Sequence, residues 1–485
     1  MRKSTRKLLS LVLVGAMAFS FVGCSNKAEK TNSTDPTNAP DTEATATPKP
    51  SNGGEKAPST GNGRAEYDSE GRRIIKVGTW YDHYYTSEHD SIDDNPDVTD
   101  TEAAEMQLNN MRAIEEKYNV KFQFVNLTWE GIMESINVSI MSGKPDVDIY
   151  EVDLQFGVPA AMNGYAMDIA DYAAADNDIF TEQNVMEYLN IMNGEKNYLF
   201  KPVNKTNQLG GQPLSFNMDM IREANLENPQ DLWDRGEWTW AKFEEYLKAL
   251  TKDTNGDGSV DIYGYGGWWT SLLQNLLMSN GAVIAGDKKE GLSSPQTVEV
   301  LNLIERMYVN DKTAAPWNND DWNANNQWYG KKQAAFFTSA AWVYSEFGIS
   351  PDVGFEIGVV PWPVGPSGNK DTNKHVYSGG NYYFIPNGVE DAELVYNVFY
   401  DWTNWFEGDL ELRDDVEWFE NQMMTERNYQ YLEWMGTKVQ FDIWGNLGLG
   451  DNFSMVPIMN GEQTAAQYSA ATANIVQDAL DRYFK

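Results

Sequence analysis

Apolar positions along the chain fall into two rhythms. Short β-rich runs lie at Arg73 to Trp80, Lys121 to Val125 and Val147 to Tyr150. Between them, apolar residues recur every three or four positions, the spacing of a helix with one buried face. Thr101 to Tyr118 brings Met106, Met111, Ile114 and Tyr118 near one face, and Trp129 to Met141 reads as a second helix. Strand, helix, strand, helix, strand predicts an α/β domain on a parallel, doubly wound sheet.

The same alternation resumes from Leu214. A strand ends in Phe216-Asn217, and a later helix places Trp240, Phe243, Leu247 and Leu250 on one face. Further helices are predicted through Leu272, Leu273, Leu276 and Leu277, and from Ser294-Pro295 with Leu301, Ile304 and Tyr308 inside. Ser294 serves as N-cap there and Pro295 as the first helical residue. Val389 to Trp405 carries Leu394, Val398 and Trp402, and Thr464 to Phe484 closes the chain with Tyr468, Ile475, Ala479 and Tyr483. This last helix is too polar for a membrane anchor.

The first 66 residues break both rhythms. Arg2, Lys3, Arg6 and Lys7 precede an apolar run from Leu8 to Val22, the pattern of a signal peptide over residues 1–23. Phe21-Val22-Gly23-Cys24 resembles the lipobox of bacterial lipoproteins, which implies a lipid on the Cys24 thiol and anchoring to the outer face of the cell membrane. Cys24 is the only cysteine, so no disulfide forms within the chain. Residues 24–66 lack aromatic and large aliphatic side chains and read as a disordered tether.

Composition narrows the partners. A formal charge of −35 argues against nucleic acid, whose phosphates would be repelled. The 485 residues have room for two or three domains, and 17 Trp among 13% aromatics is what stacking on flat sugar faces would need. Large cores use such residues too.

Ligands of doubly wound sheets bind beyond the carboxyl ends of the strands. That singles out Trp80, Tyr81, Asp82 and His83 after the first strand, and Glu151 and Asp153 after the third. Rings there can stack on a sugar while carboxylates accept from its hydroxyls; each residue could equally be a cap or a core side chain. Gly266-Gly267-Trp268-Trp269 sets two adjacent indoles that cannot both face one core, and Trp444 lies in a turn within reach of the same region. Trp317, Trp322 and Trp328 in an Asn-rich loop read as packing. A different chemistry is offered by Asp253, Asn255, Asp257, Ser259 and Asp261, oxygen side chains at alternate positions around Gly258. Such a loop suits a structural calcium ion, though Gly264 replaces the Glu that would end an EF-hand.

Several stretches resemble the extracellular solute-binding proteins of bacterial ABC importers, in particular the carbohydrate type that includes maltose-binding protein. They are Phe216-Asn217, Asn225-Leu226-Glu227-Asn228-Pro229, Trp238-Thr239-Trp240, the Asn255-to-Gly264 loop, Glu116 to Lys121, Pro145 to Ile149 and Phe355 to Pro363. The resemblance implies a two-lobed periplasmic-binding-protein-like fold of type II, with doubly wound sheets joined by a hinge. Lobe 1 would hold 67–210 and 376–430, and lobe 2 would hold 211–375 and 431–485. It also implies ligand contacts at Trp342, in Lys331 to Tyr344, and at Asn381 and Tyr382 after Ser378-Gly379-Gly380. Ala340-Ala341 stands where the family has Gly-Pro, and Phe216 where Tyr is usual.

The function this implies is capture of a neutral carbohydrate, an oligosaccharide, by lobe closure, with delivery to the transmembrane permease by a monomeric, non-enzymatic protein. Two alternatives are a cell-surface glycoside hydrolase, which needs two suitably spaced carboxylates, and a binder of peptide or another solute on the same fold. No Gly-x-Ser-x-Gly or His-Glu-x-x-His occurs, and the chain has only three His.

Overall fold

The computed structural model describes residues 65–83, 86, 101–173, 199, 212–286, 288–321, 323–338, 354–376, 381–406, 425–440, 442–447, 449 and 452–484. The chain divides into two units, residues 1–54 and 55–485, and every described residue belongs to the second. The expected signal segment, Cys24, most of the tether, Trp322, Trp342 and Ser378-Gly379-Gly380 lie outside the described residues. Residues 65 and 66 are tied to the body that follows. The Ala65 amide donates to Glu390, and the Ile74 amide to the Glu66 carbonyl.

Strand β1 (Arg73–Thr79), helix α1 (Thr101–Tyr118), β2 (Val120–Asn126), α2 (Trp129–Met141), β3 (Ile149–Val152) and α3 (Leu154–Met162) follow in the predicted alternation. The next stretch holds β4 (Leu214–Asn217), α4 (Met218–Glu223), α5 (Pro229–Asp234), α6 (Trp240–Leu250), β5 (Tyr263–Tyr265) and α7 (Trp269–Ser279). A small hairpin of β6 (Ala285–Gly286) and β7 (Lys289–Glu290) leads to α8 (Pro295–Glu305), α9 (Ala324–Gly330), β8 (Ala334–Phe337), β9 (Ile357–Val360) and β10 (His375–Val376). Last come β11 (Tyr382–Phe384), α10 (Ala392–Thr403), α11 (Glu426–Gly436), β12 (Val439–Gln440), a 3-10 turn at Ile443–Asn446, and α12 (Ala465–Tyr483).

Two four-stranded sheets result. The first has the order β11-β3-β1-β2, with β1 parallel to both its neighbours and β11 antiparallel to β3. The chain therefore winds to opposite sides of β1, which opens a crevice beyond the carboxyl ends of β1 and β3. The second sheet, β5-β8-β4-β9, is mixed: β5 and β8 run parallel, and β4 runs against both β8 and β9. The sequence reading assigns no direction to these antiparallel strands. Runs of four buried residues, as in β4 and β8, carry no periodicity that reveals direction.

Local chemistry explains where the helices start. Asp153, Asn217, Asn228 and Thr239 each accept an amide of the first turn, and Pro229 and Pro295 occupy first helical positions. Thr464 and Gln467 close a capping box at α12. That helix buries Tyr468, Val476, Ala479 and Leu480, whereas Ile475, expected on the same face, is 39% exposed. Helix α11 spans residue 430 and packs on β9 of the second sheet. Asn428 donates to the Ile357 carbonyl and accepts from the Val359 amide and Gln230.

Beneath the first sheet, at the amino ends of its strands, Arg73 and Asp148 form a buried ion pair at 2.5 Å. The Lys76 amide adds a third donor to Asp148 at 2.8 Å, so β1 and the entry to β3 are tied together.

Candidate functional site

The carboxyl ends of β1 and β3 and the start of β11 converge on Glu151. Its neighbours are set by register: Tyr383 lies opposite it on β11, and Tyr81 follows the end of β1. Glu151 is 2% exposed. Its Oε1 accepts from Asn381 Nδ2 at 2.6 Å and from the Tyr81 hydroxyl at 2.8 Å. Its Oε2 is buried and receives no hydrogen bond. Burial pushes the carboxyl above its usual range, while Asn381, Tyr81 and Tyr383 draw it back.

Rings flank this carboxyl. Trp80 meets Tyr81 edge-on with centroids 5.5 Å apart, and meets Trp129 at 5.7 Å. Trp129 in turn sits 4.6 Å from Phe156 and is 42% exposed. His83 stacks on Phe124 at 4.0 Å, and Asp82 accepts from Asn126 at 3.0 Å on the exposed side. Asp153 is taken up as the N-cap of α3, accepting the Gln155 amide. Apolar faces beside a polar acceptor match a pyranose, which has flat C–H faces and a rim of hydroxyls.

The structure thus brings Trp80, Tyr81, Glu151 and Asn381 together as the sequence suggested, and adds Trp129. Sequence reasoning used Trp129 only as a helix start. The available signal was Thr128, which caps α2 and so fixes Trp129 in its first turn, near the strand ends.

Tyr382 is a correction. It is fully buried and belongs to the core, because the faces of β11 are covered by separate apolar clusters holding Tyr382 and Tyr383. Trp444 is also buried, 5% exposed, against Phe453 at 4.6 Å and Trp269 at 6.3 Å. Its place is the main apolar core, with which it packs. Trp268 and Trp269 are half-buried at the start of α7, the first packing on the cluster around Phe337 and the second on the main core. Trp317 is half-buried against the main core, as the packing reading expects.

Next to Trp444, Asp442 caps the 3-10 turn and accepts amides of Ile284 at 2.7 Å, Ala285 and Trp444. Burial outweighs these donors and pushes its carboxyl up to about 7. The folded chain then holds a proton that the unfolded chain releases near pH 4. Asp442 therefore contributes stability at low pH that is lost as pH rises from about 4 to about 7. Asp442→Asn should remove this slope from a plot of melting temperature against pH. An unchanged slope would assign the pH dependence to other groups.

The acidic loop does not form a ready cage. Asp253 accepts amides of Gly256 and Gly258, and Asn255 and Asp257 accept those of Asp257 and Ser259. Asp261 accepts from Thr254, which holds its carboxyl below the usual range. Among the described residues no group of three or more His, Cys, Asp or Glu is placed to hold a metal ion. The donors that a cation would need are turned to the loop's own N–H groups.

A hollow of about 360 Å³ lies elsewhere, at the carboxyl end of β4 beside α4, β9 and α11. Its charged side chains are already paired: Arg222 with Glu356, and Arg427 with Asp231 and Asp234. The chemistry therefore concentrates at Glu151. Among the described residues no helix is long and apolar enough to cross a membrane.

No curated protein sequence matches the chain. Solved structures share its fold at low identity. An ABC substrate-binding protein of Listeria monocytogenes, in complex with cycloalternan, is 14% identical and covers 84% of this chain and 99% of its own, with a TM-score of 0.56. The GacH receptor of Streptomyces glaucescens, solved unliganded and with acarbose, is 15% identical over 84% of this chain and 98% of its own, at 0.57. UgpB of Mycobacterium tuberculosis, in complex with glycerophosphocholine, is 14% identical over 79% and 96%, at 0.56. The chain shares the fold of these structures, the two-lobed α/β architecture expected from the sequence. The bacterial extracellular solute-binding protein family matches residues 96–406, well over half the chain, and this protein belongs to that family.

Proposed function

We propose that the protein is the substrate-capturing component of an ABC importer. It takes a neutral carbohydrate, an oligosaccharide, between two lobes, closes on it, and delivers it to the transmembrane permease. One observation carries the reading: Tyr81 donates to the Glu151 carboxyl at the strand ends, and the rings of Trp80 and Trp129 follow Tyr81 in edge-on contacts. The sugar complexes of two structural neighbours support it. The glycerophosphocholine complex of a third means that fold alone does not choose the ligand. Here a buried carboxyl beside the rings, on a chain of net charge −35, disfavours a phosphodiester.

The remaining parts of the proposal are a lipid anchor at Cys24, a place on the outer face of the membrane, action as a monomer, and lobes of 67–210 with 376–430 and 211–375 with 431–485. The role is capture without turnover. Calorimetry with neutral glycans and a peptide library tests the ligand class. Heat from glycans is expected, and heat from peptides alone would remove the carbohydrate reading. Product analysis after long incubation should find the glycan intact; cleavage would favour the hydrolase.

Calcium at the acidic loop is a separate proposal. It requires Asp253 and Asp261 to share or exchange their present donors for the ion. The expected outcome is a lower melting temperature in EDTA that is restored by calcium. An unchanged temperature would leave the loop closed by its own amides.

A further inference from the structure

Glu151 carries an asymmetry that packing alone does not require. Its two carboxylate oxygens sit in one buried site, yet Oε1 has two donors within hydrogen-bond distance and Oε2 has none, the Tyr383 hydroxyl being the remaining group that acts on the carboxyl. A buried acceptor without a donor is costly, more so on a carboxylate, and such atoms in a binding crevice mark where a ligand completes the network. Water or a ligand can complete it here, because the carboxyl stands at the crevice beyond the ends of β1 and β3.

We propose that Glu151 Oε2 is the acceptor that fixes one hydroxyl of the ligand, with Tyr81 and Asn381 as positioning residues that saturate Oε1 and turn Oε2 to the ligand. This rests on the carbohydrate reading above and deepens it. The donors on Oε1 hold the plane of the carboxyl, so a hydroxyl is met at a fixed angle and discrimination follows from geometry. Trp80 lies edge-on to Tyr81, so the ring contact and the hydroxyl contact are fixed relative to each other. The same oxygen selects against ligands bearing a carboxylate or phosphate at that position, since two like charges would meet away from water.

The titratable groups facing Glu151 are Tyr81 from the end of β1 and Tyr383 from β11, and Asp153 follows two residues on at the cap of α3. No cation is among the groups acting on the carboxyl. An ionised Glu151 accepts from a ligand hydroxyl better than a protonated one, so affinity for a neutral sugar should rise with pH through the titration of this group.

The test is calorimetry on the full mature chain with maltotriose, cellotriose and mannotriose as neutral probes and trigalacturonate as the anionic one. Wild type is compared with Glu151→Gln and Tyr81→Phe across pH 5 to 8. Glutamine keeps an oxygen for Asn381 and Tyr81 and places an NH2 donor where Oε2 was. The neutral probe that binds wild type should lose about 10- to 100-fold in affinity on Glu151→Gln. The rise of affinity with pH should vanish with it. Tyr81→Phe should lose less, about 3- to 10-fold, by freeing the carboxyl plane. Trigalacturonate should bind wild type more weakly than every neutral probe that binds. Equal affinity and an unchanged pH profile in Glu151→Gln, with only the melting temperature moved, would make Glu151 structural and leave the carbohydrate reading standing. If no neutral probe binds wild type, the carbohydrate reading fails and this proposal with it.

Discussion

Replacing Arg73 with Met should cost the protein about 3–5 kcal/mol. The substitution fills most of the same space and leaves Asp148 buried without its cation. Arg73 and Asp148 are almost fully enclosed, and their 2.5 Å contact, with the Lys76 amide, is the tie between β1 and the segment entering β3. Two strands would lose their relative placement together, and Tyr81 and Glu151 are carried at the far ends of those strands. The expected result is therefore a large drop in denaturant midpoint with an unchanged m-value, plus weaker ligand binding at temperatures where the variant is still folded. The double variant Arg73→Met, Asp148→Leu should recover much of the stability, since removing both charges leaves no unpaired one. A single variant as stable as wild type would show that the pair does not hold the strands.

Trp129→Ala should do the reverse, with a large effect on binding and a small one on stability. The indole is 42% exposed, so its removal costs less stability than removal of a fully buried ring. What it loses in the unliganded protein is edge contact with Trp80 and Phe156, worth about 1 kcal/mol. In the complex an exposed Trp beside a buried acceptor has the character of a binding hot spot, worth about 2 kcal/mol or more, which is about 30-fold in affinity. Titration of the variant with the sugar that binds wild type, alongside a thermal melt, separates the two effects. Equal losses in both would mean that Trp129 supports the strand ends without touching ligand.

What the sequence made legible follows from periodicity. Helix α8 begins where Ser294 and Pro295 place it, because local chemistry decides a helix start, and α1 and α2 span the ranges read from spacing. The crevice at β1 and β3 was legible too, since strand ends in a wound sheet define it. Facing was harder. Tyr382 and Tyr383 alternate on one strand, and alternation says that they differ without saying which of two covered faces is nearer the ligand. Trp444 has the residue type of a sugar platform, but it is buried against nearby Phe453 and, from a distant part of the chain, Trp269. The alternate oxygens of the acidic loop suggest a cation, and spacing does not reveal how many backbone amides compete for them. Trp129 was passed over for the opposite reason. An indole at a helix start looks like core until its neighbours are known.

Every functional statement depends on where the solute sits. A crystal structure of the protein with the neutral oligosaccharide that binds it would decide the matter. A sugar ring should lie against Trp80 and Trp129, with a hydroxyl within hydrogen-bond distance of Glu151 Oε2. Density for the sugar at another place, touching neither these rings nor this oxygen, would contradict the account.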